Sequence, residues 1–273
     1  MTKIARLTNR MLIRLTGDDV VDFLQNLITC DVSGLEVGQS SFGALLSPQG
    51  KILYEFFVQR QAKGYLIDCA MSGRDELAKK LQFYKLRADV TVETIDDQHV
   101  FAVWNGKIEG SFPDTRHEQM GSRIFANELE TNASEVDWHK HRIDVGIPEL
   151  GPDFASGNVF PHEALMDQYE NAGVDFSKGC YVGQEVVSRM QHRGTARSRF
   201  VKISAQEELP QMGCEIRSRD RKIGTMGSSA GQSGLALLRL DRANEAMKNS
   251  ADIICDQTIA TLSLPKFVNF GWS

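Results

Sequence analysis

The sequence has 273 residues, 25% of them charged, and a formal net charge of −5, the balance of an ordinary globular protein with two or three small domains. The negative net charge argues against a general duplex-binding surface, because attraction to phosphates needs clustered Lys and Arg. Every apolar run is shorter than the ~18 residues of a membrane span, and residues 1–8 show no secretory signal pattern. We therefore expect a cytoplasmic protein. We expect neither a membrane nor a nucleic acid as a direct partner.

Strands and helices alternate through the first two thirds of the chain. Apolar residues recur at helical spacing from Val20 to Ile28, and Thr16 with Asp19 just before them resembles a capping box. Pro161 stands at a favoured first position of another helix, which Asn171–Gly173 would stop. The predicted strands are residues 11–15, 52–58 and 65–69, and the other predicted helices are residues 72–84, 133–142 and 184–194. The alternation favours α+β layers over an all-helical bundle.

The pattern changes near residues 194–198. Beyond this point short apolar runs alternate with Gly, Asp, Ser and Pro at regular spacing, which is typical of a small barrel or sandwich. The runs are residues 200–203, 215–216, 222–226, 235–238, 253–255 and 258–262. We therefore place a domain boundary here and expect the C-terminal domain to be a small β-barrel or sandwich.

The most unusual segment is Lys178–Glu185, which reads Lys-Gly-Cys-Tyr-Val-Gly-Gln-Glu. Cys180 lies close to a lysine and just before a predicted helix start, and both features favour the thiolate. The alternative is that Cys180 is a small buried hydrophobe, the common fate of a free cysteine. The five cysteines are scattered and form no C-x-x-C pair, which indicates free thiols in a reducing compartment and no structural metal site.

A basic run follows this segment and consists of Arg189, His192, Arg193, Arg197 and Arg199. Guanidinium groups in such a run can bind a phosphate or the carboxylates of a ligand. The other explanation is a solvated helix end followed by a polar linker, which is the more common origin of such a pattern. The sequence alone leaves both explanations open.

Two carboxylates and two aromatic residues carry the same ambiguity. Asp144 and Glu185 are either ligands or ordinary surface acids. Tyr181 and Trp138 either stack on a planar ligand or fill a core. The chain contains no P-loop, dinucleotide-binding, nucleophile-elbow or zincin motif, which removes most nucleotide-dependent, hydrolytic and zinc-protease functions.

The segment Lys178–Glu185 resembles the K-G-C-Y-[IV]-G-Q-E signature of YgfZ-type folate-binding proteins and their mitochondrial relatives, which are related to the glycine-cleavage T-protein. An eight-residue match of this composition is far more specific than a lone glycine pattern. The likeness extends over nearly the whole chain. Further similar segments are residues 15–20, 23–25, 29–32, 47–53, 142–149, 160–163 and 223–228.

The resemblance implies two interleaved α+β domains and a small C-terminal β-barrel, arranged as a ring around a central folate channel. In that arrangement residues 1–45 and 106–194 form the first, discontinuous α+β domain, residues 46–105 the second, and residues 195–273 the barrel. The implied role is to support assembly or repair of iron–sulfur enzymes, including enzymes that modify tRNA. The chain is thus expected to bind tetrahydrofolate or a one-carbon derivative and to act on iron–sulfur client proteins.

The site residues that the resemblance implies fall into two groups. Cys180 would be the functional thiol, with Lys178 beside it. Asp144 would accept hydrogen bonds from the pterin, and arginines would bind the glutamate tail. The residues expected to hold folate are Asp144, Tyr181, Gln184, Glu185, Arg193 and Arg197. No metal ligands are predicted.

One difference from the T-protein concerns catalysis. The T-protein carries two adjacent aspartates, one of which is needed for aminomethyl transfer, whereas this chain has Tyr54 and Glu55 at those positions. A tyrosine holds no charge at pH 7 because its ordinary pKa is about 10. We therefore favour an accessory factor that acts through Cys180. An aminomethyltransferase-like enzyme that moves a one-carbon unit to or from folate, and a binding module without chemistry, remain the alternatives.

Overall fold

The structure is a computed structural model that describes residues 1–170, 172–194 and 196–272. The chain divides into two compact units. Unit 1 comprises Met1–Trp138 and Tyr169–Val186, and unit 2 comprises His139–Gln168 and Val187–Ser273. Three predicted boundary residues lie outside the described residues: Asn171, Thr195 and Ser273. The predicted division into three domains stays a prediction.

Unit 1 contains two antiparallel sheets, the helices α1 and α2, and the first turns of two further helices. Its elements are β1 (Lys3–Arg6), β2 (Arg10–Thr16), α1 (Val20–Gln25), β3 (Ser40–Leu46), β4 (Ile52–Arg60), β5 (Tyr65–Ala70), α2 (Arg74–Tyr84), β6 (Thr91–Ile95), β7 (His99–Trp104), β8 (Phe112–Pro113), β9 (Ser122–Ala126) and the first turns of α3 (Glu135–Val145) and α4 (Gln184–Arg193). The larger sheet has the order β3–β4–β5–β2–β6, and the smaller has the order β1–β7–β9–β8.

One face of the larger sheet carries the main apolar core of unit 1. In β4, Phe56 and Val58 lie on this face, and they belong to one buried cluster with Leu24 of α1 and Leu81 of α2. All four side chains are fully buried. Burying an apolar side chain of this size stabilises the fold by roughly 1.5–3 kcal/mol. Alternating apolar residues in the strands and helical spacing in α1 and α2 therefore account for the helix-on-sheet layer.

The other face of the larger sheet meets the smaller sheet through buried charges. Asp68 of β5 binds Arg10 at 2.7 Å and Arg123 of β9 at 2.6 Å. Arg123 also pairs with Asp114 at 3.3 Å, and its guanidinium lies 4.0 Å from the centre of the Phe57 ring. The four charged side chains are almost completely buried. Because removing one member would leave an uncompensated buried charge, this network fixes how the two sheets pair.

Unit 2 is built on a closed, six-stranded antiparallel barrel. Its strands are β10 (Ser198–Ala205), β11 (Glu215–Ser218), β12 (Arg221–Ala230), β13 (Ser233–Arg239), β14 (Ile253–Cys255) and β15 (Thr258–Ser263), and the helix α5 (Leu240–Lys248) follows β13. Around the barrel the strands lie in the order β10–β13–β12–β11–β14–β15. Pairing of β15 with β10 completes the barrel. Val201, Ile203, Ile216 and Leu238 fill its interior. The predicted C-terminal β-barrel is confirmed, with the helix α5 between two of its strands, and its first strand begins within the predicted boundary window.

A second buried charge cluster, in unit 2, ties the residues after α3 to the barrel. Arg142 donates to the Ile147 carbonyl at 2.5 Å, to Asp153 at 2.6 Å and to the Ser228 hydroxyl at 2.9 Å. Asp153 accepts from the Ser228 N–H at 2.8 Å and hydroxyl at 2.6 Å. A Cβ at Gly227 would lie 2.6 Å from an Asp153 oxygen. The cluster therefore explains why β12 carries a glycine and a serine at this irregular point.

Two local predictions are wrong, while the helices predicted over 72–84, 133–142 and 184–194 are confirmed with small shifts at their ends. The described part of residues 161–173 forms turns and bends instead of a helix. Leu165 has a φ of +62°, which a right-handed helix does not accommodate. The capping box is absent because Thr16 is still paired in β2, so that Asp19 is the N-cap of α1 and makes no side-chain capping bond.

Every helix among the described residues is too short or too polar to cross a lipid bilayer.

Candidate functional site

The signature segment begins with a turn that Asp175 organises. Its carboxylate accepts hydrogen bonds from the Ser177 N–H and hydroxyl, both at 2.7 Å, and from the Lys178 N–H at 3.0 Å. Burial alone would raise the pKa of Asp175, but these hydrogen bonds outweigh burial and hold the pKa below its usual value. The Asp175 N–H donates to the Thr29 carbonyl at 2.9 Å. The start of the segment is therefore fastened to the chain just after α1.

Lys178 makes a second attachment to the same region. Its ammonium donates to the Ile28 carbonyl at 2.8 Å and to the Cys30 carbonyl at 2.6 Å, and it lies 5.6 Å from the centre of the Tyr181 ring. Burial lowers the pKa of Lys178, and the acidic groups around it oppose that effect. Lys178 thus positions the segment against residues 28–30. Its predicted influence on the Cys180 thiol stays a prediction.

Two glycines let the signature segment pack directly against another turn. Gly183 has a φ of +83°, and a Cβ there would lie 2.7 Å from the Ser47 carbonyl oxygen and 3.1 Å from the Gly50 Cα. Gly50 has a φ of +80°, and its added Cβ would lie 3.0 Å from Val186. Only glycine adopts such a conformation without strain at this separation. The turn at residues 47–50 and the start of α4 therefore meet backbone to backbone.

Cys180 lies on the exposed side of this fastened loop. Of the five cysteines, all within the described residues, Cys180 is the exposed one, Cys214 is half-exposed, and the other three are buried. Burial raises the pKa of Cys30 to about 11 and the pKa values of Cys69 and Cys255 to about 12. Cys180 is exposed to solvent, so the interpretation of Cys180 as a small buried hydrophobe is wrong.

Tyr181, next in the segment, is 7% exposed. Its hydroxyl is buried and has no hydrogen-bond partner among the described residues, and burial raises its pKa above the usual value. Buried hydroxyls normally have a partner, so this one marks a place where a bound water or ligand group can supply it. Gln184 is half-buried and Glu185 is exposed at the start of α4. Trp138 is 1% exposed and packs 5.5 Å from the Trp104 ring, which makes it a core residue.

A cavity of about 510 Å³ opens beside the signature segment within unit 1. Its lining residues include Asp31, Asp175, Tyr169 and Phe176. Hydrogen bonds from Ser33 and its neighbours outweigh burial and hold the pKa of Asp31 below its usual value. The cavity is thus anionic and partly aromatic, which suits a group rich in N–H donors.

The sequence analysis missed both of these aspartates. The available signal was local, because an aspartate followed two or three residues later by Ser or Gly commonly caps its own turn. Asp31 accepts hydrogen bonds from the Ser33 hydroxyl and the Gly34 N–H in this way. Such a motif predicts the turn but does not predict that the same carboxylate lines a cavity.

The remaining predicted ligands of folate lie in unit 2. Asp144 is exposed in the last turn of α3, Arg193 is exposed at the end of α4, and Arg197 is exposed just before β10. None of the three side chains forms an ion pair with another described residue, whereas Arg199 is buried and bound to Asp167 at 2.6 Å. A free carboxylate and two free guanidinium groups match the N–H donors of a pterin and the carboxylates of a glutamate tail. By chemistry, this set of residues fits a folate.

Tyr54 and Glu55 do not reproduce a pair of carboxylates. They are consecutive residues of β4 and so point to opposite faces of the sheet. Tyr54 packs against the apolar core, and burial, followed by a hydrogen bond and charge interaction with Glu76, raises the pKa of its phenol. Glu55 is 3% exposed on the other face. The arrangement therefore lacks the adjacent acids of the T-protein.

Two family models match separate parts of the chain. Residues 6–106 match the GCVT N-terminal domain, and residues 197–270 match the CAF17 C-terminal β-barrel domain. The mouse protein "Iron-sulfur cluster assembly factor IBA57, mitochondrial" is 30% identical in an alignment covering 86% of this chain and 76% of the mouse protein. An "Uncharacterized protein" of Haemophilus influenzae is 31% identical, with 90% of each chain covered.

A solved structure shows the same fold. The glycine cleavage system aminomethyltransferase T from Bartonella henselae superposes with a TM-score of 0.72, covering 98% of this chain and 86% of that chain. At 14% identity this likeness establishes the fold alone. Together with the sequence relatives and the barrel match, it shows that the chain belongs to the IBA57/CAF17 family, which is built on an aminomethyltransferase-like fold.

Proposed function

We propose that this protein is an iron–sulfur cluster assembly factor that binds tetrahydrofolate and acts on client proteins through Cys180. The observation that carries the proposal is the exposure of Cys180 on a loop whose two ends are fastened, by Asp175 and Lys178 on one side and by Gly183 on the other. A fixed loop presents the thiol in one place, as a transfer or ligation step requires. The similar mouse protein is named as an iron–sulfur cluster assembly factor, which supports the assembly role.

The folate part of the proposal depends on the residues of unit 2. Asp144 would accept hydrogen bonds from N–H groups of the pterin, and Arg193 with Arg197 would bind the carboxylates of the glutamate tail. Gln184 and Glu185 are proposed as further ligands. When bound, tetrahydrofolate would act as the carrier of one-carbon units. The aminomethyltransferase-like fold agrees with the resemblance to the T-protein, which implies a folate ligand.

Three finer assignments also belong to the proposal. Within the family we place this chain with the YgfZ-type members, on the strength of Lys178–Glu185. Its clients would include iron–sulfur enzymes that modify tRNA. We place it in the cytoplasm, where five unpaired cysteines would stay reduced, whereas the similar mouse and human proteins are named as mitochondrial.

The aminomethyltransferase alternative lacks support from the site. A neutral phenol at Tyr54 and a buried carboxylate at Glu55 do not supply the adjacent acids that the T-protein uses. An assay for folate-dependent release of ammonia from an aminomethyl carrier distinguishes the two functions. We expect no release above background with this protein.

The main test uses cells that lack the gene. We expect the wild-type chain to restore the activity of a [4Fe–4S] enzyme, and Cys180→Ala to fail although the protein accumulates and is folded. Cys69→Ala is the matched control, since it removes a buried thiol of the same unit. An enzyme without an iron–sulfur cluster, assayed in the same extracts, shows whether enzyme activity has fallen in general. Restoration by Cys180→Ala equal to that by the wild type would rule out action through this thiol.

A further inference from the structure

A second cavity, of about 220 Å³, lies within unit 2, where the hairpin of β11 and β12 meets one face of α5. The helix residues that line it stand at relative positions 0, 3, 4 and 7 along α5 and so share one face. They are Arg242, Glu245, Ala246 and Asn249, and the hairpin contributes Ser218, Arg219, Arg221 and Ile223. A single water needs only about 10–15 Å³, so the cavity has room for a polyatomic group.

The cavity carries an excess of positive charge, although the chain as a whole has a net charge of −5. Three of its four charged lining residues are arginines. Arg221 pairs with Glu245 at 3.0 Å, and both side chains are more than half exposed. Arg219 and Arg242 form no ion pair with any residue that the structure describes. Two guanidinium groups at the cavity therefore lack a carboxylate partner.

Arg242 is held in place and has one hydrogen-bond donor to spare. Its Nη1 donates to the Lys222 carbonyl of β12 at 2.7 Å, which fastens the guanidinium to the barrel. Its Nε is buried and has no acceptor among the described residues. Buried N–H groups normally have a partner, so this one marks a place where an acceptor atom of a ligand can bind.

Arg219 occupies a backbone position that does not favour arginine. Ser218 pairs with Arg221 across the hairpin, so Arg219 and Asp220 form a two-residue turn. Arg219, the first of the two, has a φ of +52°, a conformation for which such turns favour Gly, Asn or Asp. The turn itself gains nothing from arginine here, whereas the cavity gains a guanidinium group. Backbone strain of this kind persists at ligand sites.

The C-terminal end of α5 also reaches this cavity, and the end of a helix repels anions through its unpaired carbonyls. Here those carbonyls are occupied. The Glu245 carbonyl accepts the Asn249 N–H at 3.1 Å, and the Ala246 carbonyl accepts the Ala251 N–H at 3.0 Å. The repulsion from the helix end is thereby reduced, and the arginines dominate the lining.

We propose that this cavity is an anion-binding site and that its ligand is a phosphate group, either inorganic phosphate or the phosphate of a small monoester. Guanidinium groups match the geometry and charge of phosphate oxygens. The Nε–H of Arg242 would donate to one oxygen, and Arg219 would supply a second guanidinium. An anion would also compete with Glu245 for Arg221. The proposed folate ligands and Cys180 do not line this cavity, so the site is separate from the proposed function.

The test titrates the full-length chain with sodium phosphate and with ribose 5-phosphate in a calorimeter, at an ionic strength held constant with sodium chloride. At about pH 7.5 a phosphate monoester is mostly doubly charged, because its second pKa is about 6. We expect saturable binding at one site. Tighter binding of ribose 5-phosphate identifies a monoester as the ligand, and equal binding identifies the phosphate group alone. Binding of neither compound, or equally tight binding of ribose, would overturn the proposal.

Arg219→Gly separates a binding role from a structural one. Glycine suits a φ of +52°, so the variant should unfold at the same temperature as the wild type or at a higher one. It should weaken phosphate binding about tenfold, as expected for the loss of a charged hydrogen-bond donor. Arg87→Ala is the matched control, because it removes one exposed arginine of unit 1, and its affinity should stay within about twofold of the wild type. Equal weakening by the two variants would reduce the effect to net charge and refute the site.

Glu245→Gln should act in the opposite direction. The change removes the carboxylate that competes for Arg221 and keeps the size of the side chain, so phosphate should bind about three- to tenfold more tightly. The ion pair that it breaks is largely exposed, so stability should change little. Weaker binding of phosphate by Glu245→Gln would contradict an anion site at this cavity, whatever the result with Arg219→Gly.

Discussion

The ammonium of Lys178 donates a hydrogen bond of 2.6 Å to the backbone carbonyl of Cys30. The two residues are 148 positions apart in sequence, so the bond joins the signature segment to the first part of the chain. The same ammonium also holds the Ile28 carbonyl. The lysine at this position therefore has a structural role, which is separate from any effect on the thiol of Cys180.

Replacing this lysine should destabilise unit 1. Lys178→Met keeps most of the apolar stem but removes two charge-assisted hydrogen bonds, and we expect the free energy of unfolding to fall by about 2–4 kcal/mol. Urea denaturation followed by circular dichroism measures the change. Lys63→Met is the control, because Lys63 is exposed in the turn between β4 and β5, and it should change stability by less than about 0.5 kcal/mol. Equal stability of the two variants would refute the anchoring role.

Two glycines of the signature segment offer a matched pair of substitutions. Gly183→Ala places a Cβ 2.7 Å from the Ser47 oxygen at a φ of +83°, and should cost about 2–3 kcal/mol of stability. Gly179→Ala places its Cβ in open space and should be close to neutral. Thermal unfolding of both variants measures the contrast. If Gly179→Ala destabilises as much as Gly183→Ala, the packing of the two turns is not the reason for the glycine.

The buried ion network should make the protein sensitive to acid. Burial alone would raise the pKa of Asp114, but the charges of Arg116 and Arg123 outweigh burial and hold it below the usual value. Because the folded pKa lies below the unfolded value of about 3.9, the stability from Asp114 is complete above about pH 4 and is lost as the pH falls through the folded pKa.

Asp114→Asn tests this dependence. The variant leaves Arg116 and Arg123 partly unpaired, so we expect it to lose about 3–5 kcal/mol at pH 7 and to show a flatter fall in stability below pH 4. Urea titrations across the acid range give both quantities. Asp75→Asn removes a carboxylate that is 72% exposed and should leave the acid limb unchanged. An acid limb for Asp114→Asn as steep as that of the wild type would assign the acid sensitivity to other groups.

The barrel was predictable and the ion network was not, for a physical reason. The local sequence predicts each barrel strand, since apolar runs such as residues 200–203 and 258–262 alternate with turn-forming residues. Asp68 and Arg123, in contrast, are 55 positions apart and each lies in an otherwise apolar strand. No periodicity in the sequence predicts that these two charges form an ion pair, because only the packing of the two sheets brings them together.

The candidate site also has a part that the sequence predicts and a part that only the fold reveals. The start of α4 lies where the sequence predicts it, but the sequence left open whether Cys180 is exposed or buried, and only the fold shows its exposure. The cavity beside the loop could not be predicted, because Asp31 and Asp175 come from distant turns. The helix expected after Pro161 fails for a local reason, since Leu165 adopts a left-handed conformation that its type does not suggest.

Folate binding should depend on Asp144. Its carboxylate is exposed and without a partner among the described residues, and Asp144→Ala should weaken tetrahydrofolate binding by about 1.5–3 kcal/mol, the usual contribution of a hydrogen bond to a charged group. Isothermal titration of the purified protein measures this loss. Glu130→Ala, which removes one exposed carboxylate elsewhere, controls for net charge. Unchanged affinity of Asp144→Ala would remove Asp144 from the folate site.

Cys180 should be the thiol that reacts fastest with iodoacetamide. The reagent needs a reachable thiolate; Cys180 is exposed, while Cys30 and Cys69 are buried and burial raises their pKa values to about 11 and about 12. At pH 8 less than about one in a thousand of the buried thiols is ionised. Mass spectrometry of each cysteine over time gives the rates, and the same labelling in urea shows that the differences come from folding.

The comparison that decides this prediction is with Cys214, the half-exposed thiol of the barrel. Exposure ranks Cys180 ahead of Cys214, and Cys214 ahead of the three buried cysteines. We expect labelling of Cys180 in the native protein to be at least about tenfold faster than that of Cys214, and the difference to disappear in urea. If Cys180 labels no faster than Cys214, exposure does not make it the reactive thiol, and the proposal that clients are served through Cys180 loses its chemical basis.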